Sequence, residues 1–268
     1  MTWELRSDQF MILWEATDLD RMPYPLRHRS SATTMDARAM VERQLRAWHA
    51  SLDDPKLMAC IQALRHPDYS VTVFVPDEAD DHAEGSALEE TAAVRRRGCV
   101  RGRIAVMAEQ LPGPVGHGTI VLQVSHGTDA ENRRWLATQL TAGLPDVPPG
   151  NIRSLSSTPE GLERRQAGST MVLHNSAVPD GDRMRRLLTR PHTSNGYVCL
   201  LGPRHGLDEP LVDEMAWFDI ADDGRYLHFV DHQVRLRAVS LNDLRDEFEL
   251  RFEKLATGPS TERVSPLV

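Results

Sequence analysis

Two stretches of this chain run through the same order of patterns: helical periodicity first, then alternating strands, then one amphipathic helix. In the first stretch a short strand over 3–5 precedes Ser7, which can cap a helix with Phe10, Leu13, Trp14 and Thr17 at i, i+3, i+4 and i+7. Thr34 opens a longer helix that turns Met40, Val41, Leu45, Trp48 and Leu52 inward. Pro55 stands at the first position of a third, with Leu57, Met58, Ile61 and Leu64 on its apolar face. Alternation then predicts strands over 69–75, 99–109 and 119–125, followed by a helix from 129 carrying Trp135, Leu136 and Leu140. The breaker-rich LPDVPPG at 144–150 closes this half. The second stretch gives helix signals over 159–166 and through Met184, Leu187 and Leu188, then strands at 196–201, 213–220, 225–230 and 233–239. Its last helix is capped by Ser240 with Asp243 three residues on, and carries Leu241, Leu244, Phe248, Phe252 and Leu255.

Strands that follow one another through short turns pair antiparallel. The expected class is therefore α+β, a central, mostly antiparallel sheet carrying helical bundles. The shared order hints at quasi-twofold halves, about 1–148 and 149–258, within one domain, although no residue-level repeat is evident; residues 259–268 read as a flexible tail. Trp14, Ile104, Leu122, Trp135, Trp217 and Phe248 lie on the apolar side of their local periods and are the expected core.

One connection breaks the pattern. Between the strand over 69–75 and the next lies an acidic loop, 77–94, where a tight turn would suffice, and Arg95, Arg96 and Arg97 follow it at once. A loop of that length in a compact domain is usually functional or disordered.

Composition excludes several functions. A net charge of -8 lacks the basic footprint of a general nucleic-acid or anionic-membrane binder. Cys60, Cys99 and Cys199 are odd in number and lack CxxC spacing, which argues against a disulfide framework or zinc site and fits a reducing compartment. The start has no basic segment followed by an apolar one, and no run reaches membrane-spanning length, so the expected location is cytoplasmic.

The candidate chemistry is sparse. His228 and His232 are four apart, but the stretch reads as strand and turn, which separates the rings and argues against a metal. Alternation sends Arg101 and Arg103 to solvent, so the arginine run reads as a solvated sheet face rather than a phosphate grip. The glycines at 113, 116 and 118 sit between strands, with no Lys-Ser or Lys-Thr after them, and support no nucleotide loop. Asp222 and Asp223 precede Gly224 and read as a hairpin turn before general acids. No GxSxG, HExxH or catalytic-cysteine signature occurs. No enzymatic activity and no cofactor are expected. The alternative from the residues is an uncharacterised α+β enzyme or small-ligand-binding protein.

Several segments carry a family resemblance. WELRSDQFMILWEA at 3–16 with LDRMPYPL at 19–26, AVPDGDRMRRLL at 177–188, the strand after Asn195 and Gly196, and WFDIADDGRYL at 217–227 together resemble the actinobacterial EspG proteins, cytosolic chaperones of type VII (ESX) secretion, over nearly the whole chain. The resemblance implies an α+β fold with quasi-twofold symmetry and a role in binding the apolar helical tip of the PPE partner in PE/PPE heterodimers, keeping the pair soluble for export. It implies no nucleic acid and no membrane insertion, and it allows a homodimer. The implied contact surface joins the 77–94 loop with a helical bundle at roughly 159–188. By that correspondence the candidate contacts are Asp77, Glu78, Asp80, Asp81, His82, Glu84, Leu88, Val94, Leu162, Met184 and Leu187. The loop is more acidic than an apolar grip requires.

Overall fold

A computed structural model describes residues 1–30, 32–76, 92–113, 118–163 and 178–257. The fold is α+β, as the alternation predicts. The first half contains β1 (Thr2–Arg6), α1 (Ser7–Glu15), α2 (Met35–Ala50), α3 (Pro55–Arg65), β2 (Tyr69–Pro76), β3 (Ala92–Arg101), β4 (Ile104–Gln110), β5 (Thr119–His126) and α4 (Asp129–Thr141). The second contains β6 (Ser154–Ser157), α5 (Pro159–Glu163), α6 (Asp180–Leu188), β7 (His192–Leu201), β8 (Leu211–Ile220), β9 (Gly224–Val230), β10 (Val234–Ala238) and α7 (Leu241–Thr257).

Local chemistry explains most boundaries. The Thr34 hydroxyl accepts the Ala37 N–H at 3.2 Å to cap α2, and the Asp54 carboxylate accepts from Lys56 and Leu57 ahead of Pro55. Both α4 and α7 begin with reciprocal capping boxes, Thr128 with Glu131 and Ser240 with Asp243. Ser7 is not the cap of α1: it is the first helical residue and buried, and the Gln9 side chain accepts the Arg6 N–H at 3.0 Å instead. The single strand expected over 99–109 is two. The chain turns at Gly102, whose φ of 55° is a left-handed conformation that glycine adopts without strain, and Arg101 pairs with Ile104. Strand β6 escaped the sequence reading because Leu155 is the only apolar residue in it.

The sheet has ten strands in the order β1-β5-β4-β3-β2-β7-β8-β9-β10-β6. Each half contributes five in the same sequence, the first ending on β2 and the second beginning on β7. All named pairings are antiparallel, and the halves meet where Val71, Thr72 and Val73 oppose Leu200, Cys199 and Val198. One face of the sheet carries Val71, Val73, Val198, Leu200, Met215 and Trp217, covered by Leu136 and Leu140 of α4 and Phe248 and Phe252 of α7. Gly196 makes room for the Trp217 indole, since a Cβ there would stand 2.1 Å from the ring.

The other face is covered in two separate patches. Helices α1 and α3 bury Phe10, Leu13, Trp14, Leu57, Ile61 and Leu64 against Val106, Ile120 and Leu122 of the first half. Helix α6 covers Leu155, Ile220, Tyr226 and Leu236 of the second. Of the expected core, Trp14, Leu122, Trp217 and Phe248 are fully buried, while Ile104 and Trp135 are half-buried at cluster margins. Met40 is 54 % exposed rather than inward; Leu45 is buried, and Trp48 packs half-buried against the α1 and α3 core.

Arg95, Arg96 and Arg97 depart from the solvated face expected of the arginine run. All three are buried, because each guanidinium meets acceptors at the end of an apolar stem. Arg95 donates to the Pro25 carbonyl at 3.0 Å. Arg97 donates to the Tyr24 carbonyl at 3.2 Å, so the two clamp the MPYP segment onto the sheet with help from Gln110, which bonds both backbone groups of Arg27. Arg96 points to the opposite face and holds Glu109 at 2.7 Å and the Leu140 carbonyl at 3.0 Å. Arg101 and Arg103 are exposed, as expected.

Candidate functional site

Among the described residues, the two helical patches leave a gap in the middle of their sheet face, where the MPYP segment shields β2 and Tyr197 of β7 stands exposed. Along this strip Phe74 of β2 lies opposite Tyr197 of β7, and Tyr197 opposite Ala216 of β8. A tyrosine at the centre of a ten-stranded sheet is ordinarily buried; Tyr197 is 45 % exposed. Tyr24, 53 % exposed, stands 6.3 Å from the Phe74 ring, and the Arg95 guanidinium lies 5.0 Å over that ring. Further along, the Phe218 ring sits between His192, at 5.1 Å, and His228, at 6.2 Å. Burial pushes the His228 imidazole below its ordinary pKa, so the ring is neutral and behaves as part of an aromatic floor. The strip is aromatic in composition, with Tyr24 and Tyr197 as its exposed members.

Of the residues singled out from the family resemblance, Asp77, Glu78, Asp80, Asp81, His82, Glu84 and Leu88 lie outside the described residues. Val94 belongs to β3, opposite Val75, and packs half-buried toward the α4 and α7 core. Leu162 of α5 is half-buried at the edge of the α6 cluster. Met184 and Leu187 are 0 % and 4 % exposed. With Gly181 they form the inner row of α6 at i, i+3 and i+6, and they anchor the helix to the sheet; what α6 presents outward is Arg183 and Arg186. Gly181 lets the helix approach α5, since a Cβ there would come within 2.9 Å of the Gly161 carbonyl oxygen. The sequence reading passed over Tyr197 because alternation marks both faces of a central strand as apolar, and only the gap between the helical layers distinguishes them.

The cysteines are not activated as nucleophiles. Burial raises the Cys60 thiol to about 11 and the Cys99 thiol to about 12, and it raises Cys199 as well, so all three are protonated and poorly nucleophilic. No group of three His, Cys, Asp or Glu residues that could hold a metal occurs among them. Asp222 and Asp223 form the β8–β9 turn, with Asp222 at φ 58°; Asp223 accepts from Asn151 at 2.8 Å and Tyr226 at 3.0 Å and is paired with Arg190, which keeps its carboxyl below the ordinary range despite burial. No helix among the described residues is long and apolar enough to cross a membrane.

Comparison with known proteins places these features. No curated protein sequence matches the chain. Among solved structures, the Mycobacterium tuberculosis type VII secretion system chaperone EspG5, in complex with the PE25-PPE41 dimer, is similar in fold: TM-score 0.61 at 12 % identity, covering 98 % of each chain. The model of the EspG family matches residues 6–241. With nearly the whole folded part of the sequence inside that match, the chain belongs to the EspG family.

Proposed function

We propose that this protein is a chaperone of type VII secretion that binds PE/PPE heterodimers through the apolar tip of the PPE partner and keeps them soluble before export. The observation that carries this reading is the family match over residues 6–241. The similar fold of EspG5, solved with the PE25-PPE41 dimer, supports it. The role is binding without catalysis, carried out in the cytoplasm, with no nucleic acid and no cofactor. The chain acts as one domain of two topologically matched halves, divided near residue 148, with residues 259–268 as an appended tail.

The interface we assign combines three neighbours. Tyr24 and Tyr197, backed by the buried Phe74, supply aromatic contact surface for an apolar helical tip, and aromatic side chains of this kind dominate binding energy where water is excluded. The outer face of α5 and α6, from Leu162 to the exposed Arg183 and Arg186, forms one wall. The acidic segment 77–94, whose first fifteen residues lie outside the described ones, is included on the family resemblance alone. Its acids then steer encounter more than they clamp, since rim charges act mainly on association rates.

The test is co-expression with each PE/PPE pair of the same genome, then affinity measurement with purified heterodimer. One pair should co-purify stoichiometrically and bind with an interface of about 1,600 Å² in total. Failure of the folded protein to retain any of these pairs would overturn the proposal.

A further inference from the structure

At the Ser70 end of β2, away from Tyr197, three elements bring cations together below the surface. Arg97 of β3 is 1 % exposed and donates to the Ser70 hydroxyl at 3.1 Å and to the Glu209 carboxylate. The β7–β8 connection folds back through a His205–Asp208 bridge, with Gly206 at φ 65°. It supplies Glu209 and also Arg204, whose side chain is 8 % exposed and pairs with the same carboxylate at 2.6 Å. The end of α3 supplies Arg65, which donates to the carbonyls of Gly206 at 3.3 Å and Thr17 at 3.2 Å.

Two guanidiniums therefore share one carboxylate, and a third, Arg65, is held beside them by carbonyls alone. At the rim, Arg101 donates to the Gln62 carbonyl at 3.0 Å, and Asp68 is engaged with the Gly102 N–H at 2.7 Å; Asp208 is exposed at the turn. His66 is exposed beside them, and burial together with Arg65, Arg101 and Arg204 lowers its pKa, as a cluster of uncompensated positive charge requires. Burial, and then Arg97 and Arg65, likewise work against the charge of Arg204 although Glu209 favours it. Two donors are left over: the Nε groups of Arg97 and Arg204 are buried and meet no acceptor in the protein. Buried donors without acceptors are uncommon and call for a partner.

We propose that this cluster binds a small oxyanion of the phosphate class. Arg65, Arg97, Arg101 and Arg204 outnumber Glu209, Asp68 and Asp208, so the cluster as a whole is positive and suited to an anion. Planar guanidiniums present paired donors to such oxygens. The site is specific to this corner of the protein, since the chain as a whole carries -8. Its bound anion would lock the β7–β8 connection to α3 and β3.

The experiment is thermal unfolding of the full chain in rising inorganic phosphate, against chloride at equal ionic strength. Phosphate should raise Tm along a saturating curve, as a ligand of the native state does. Arg65→Gln, which is half-exposed and away from the core, should weaken the apparent phosphate affinity about tenfold while leaving Tm in chloride nearly unchanged. The paired variant Arg204→Gln with Glu209→Gln, which removes both charges of one ion pair together, should lose the saturating response while remaining folded. A rise that is linear in phosphate and equal in all three proteins would be general solute exclusion and would overturn the proposal. So would the same saturating response in both variants.

Discussion

The two halves share a strand order but differ in how their second face is covered. In the first half, α1 and α3 drive Phe10, Leu13, Trp14, Leu57, Ile61 and Leu64 into a continuous core with β4 and β5. In the second, α6 contributes Met184 and Leu187, and α5 reaches the cluster only through the half-buried Leu162. The corresponding ion pairs differ in the opposite sense. Arg96 and Glu109 span β3 and β4 with the carboxylate side chain 28 % exposed, whereas Asp219 and Arg225 span β8 and β9 at 1 % and 0 %. One topology thus accommodates a thick apolar cover in one half and a thin one in the other, and the half with the thin cover carries the drier ion pair on its opposite face. Beside the thin cover, Tyr197 is left 45 % exposed.

The largest effect should separate the two covers. Trp14→Ala should cost about 3–5 kcal/mol in urea denaturation, and Met184→Ala about 2 kcal/mol, because the thinner layer can collapse around the smaller side chain. Equal losses would break the comparison. The ion pairs come next. Asp219→Asn leaves Arg225, already bonded to the Pro145 carbonyl at 2.9 Å, with an uncompensated buried charge and should cost about 3 kcal/mol. Glu109→Gln, in the wetter pair, should cost about 1 kcal/mol. Denaturant midpoints of the two variants measure this directly, and a larger loss for Glu109→Gln would reverse the argument.

Binding should sharpen the same contrast. Tyr197→Ser should weaken PE/PPE heterodimer binding about 30-fold, which is about 2 kcal/mol, with little change in stability because the side chain is half-exposed. Met40→Ser, on the exposed side of α2 in the other half, should leave affinity unchanged. Titration calorimetry distinguishes them, and equal effects would move the interface off the central strip.

The smallest expected difference lies in the matched helix caps. Ser240→Ala should cost about 1 kcal/mol, and Thr128→Ala a similar fraction of stability. Hydrogen bonds from Ser240 hold the Asp243 carboxyl below its ordinary 3.8, and those from Thr128 hold Glu131 below 4.5. A folded pKa below the unfolded one means the contribution is complete above these ordinary values and disappears as pH falls through the lowered ones. The alanine variants should therefore differ from the parent at neutral pH and converge with it in acid; persistence of the full difference in acid would show that the carboxylates take no part.

Much of the fold was legible because its signals are local. Caps at Thr34, Asp54, Thr128 and Ser240 set helix starts through side chains one to three residues away, and period-two alternation marked the long strands. The misses also have local causes. Gly102 was read inside one strand because apolar residues continue on both sides of it, and SLSS at 154–157 offers too little apolar signal to mark a strand. The α6 residues that the resemblance implied as contacts are buried. Met184 and Leu187 are apolar and lie on α6, yet large apolar residues on an amphipathic helix turn toward its own core first. Tyr197 carried no sequence signal, since exposure in a central strand depends on which helices fail to cover it.

By itself the sequence determined the class, the antiparallel pairing of successive strands and the order of elements, because these follow from periodicity, turn residues and caps within a few positions. Tertiary structure alone decided the joining of the halves through β2 and β7, the burial of Arg95, Arg96 and Arg97, and the open strip around Tyr197. Each depends on groups far apart in the chain. Arg97 meets Tyr24, Ser70 and Glu209, more than a hundred residues distant at the last, and a charged side chain can be buried only where such acceptors converge.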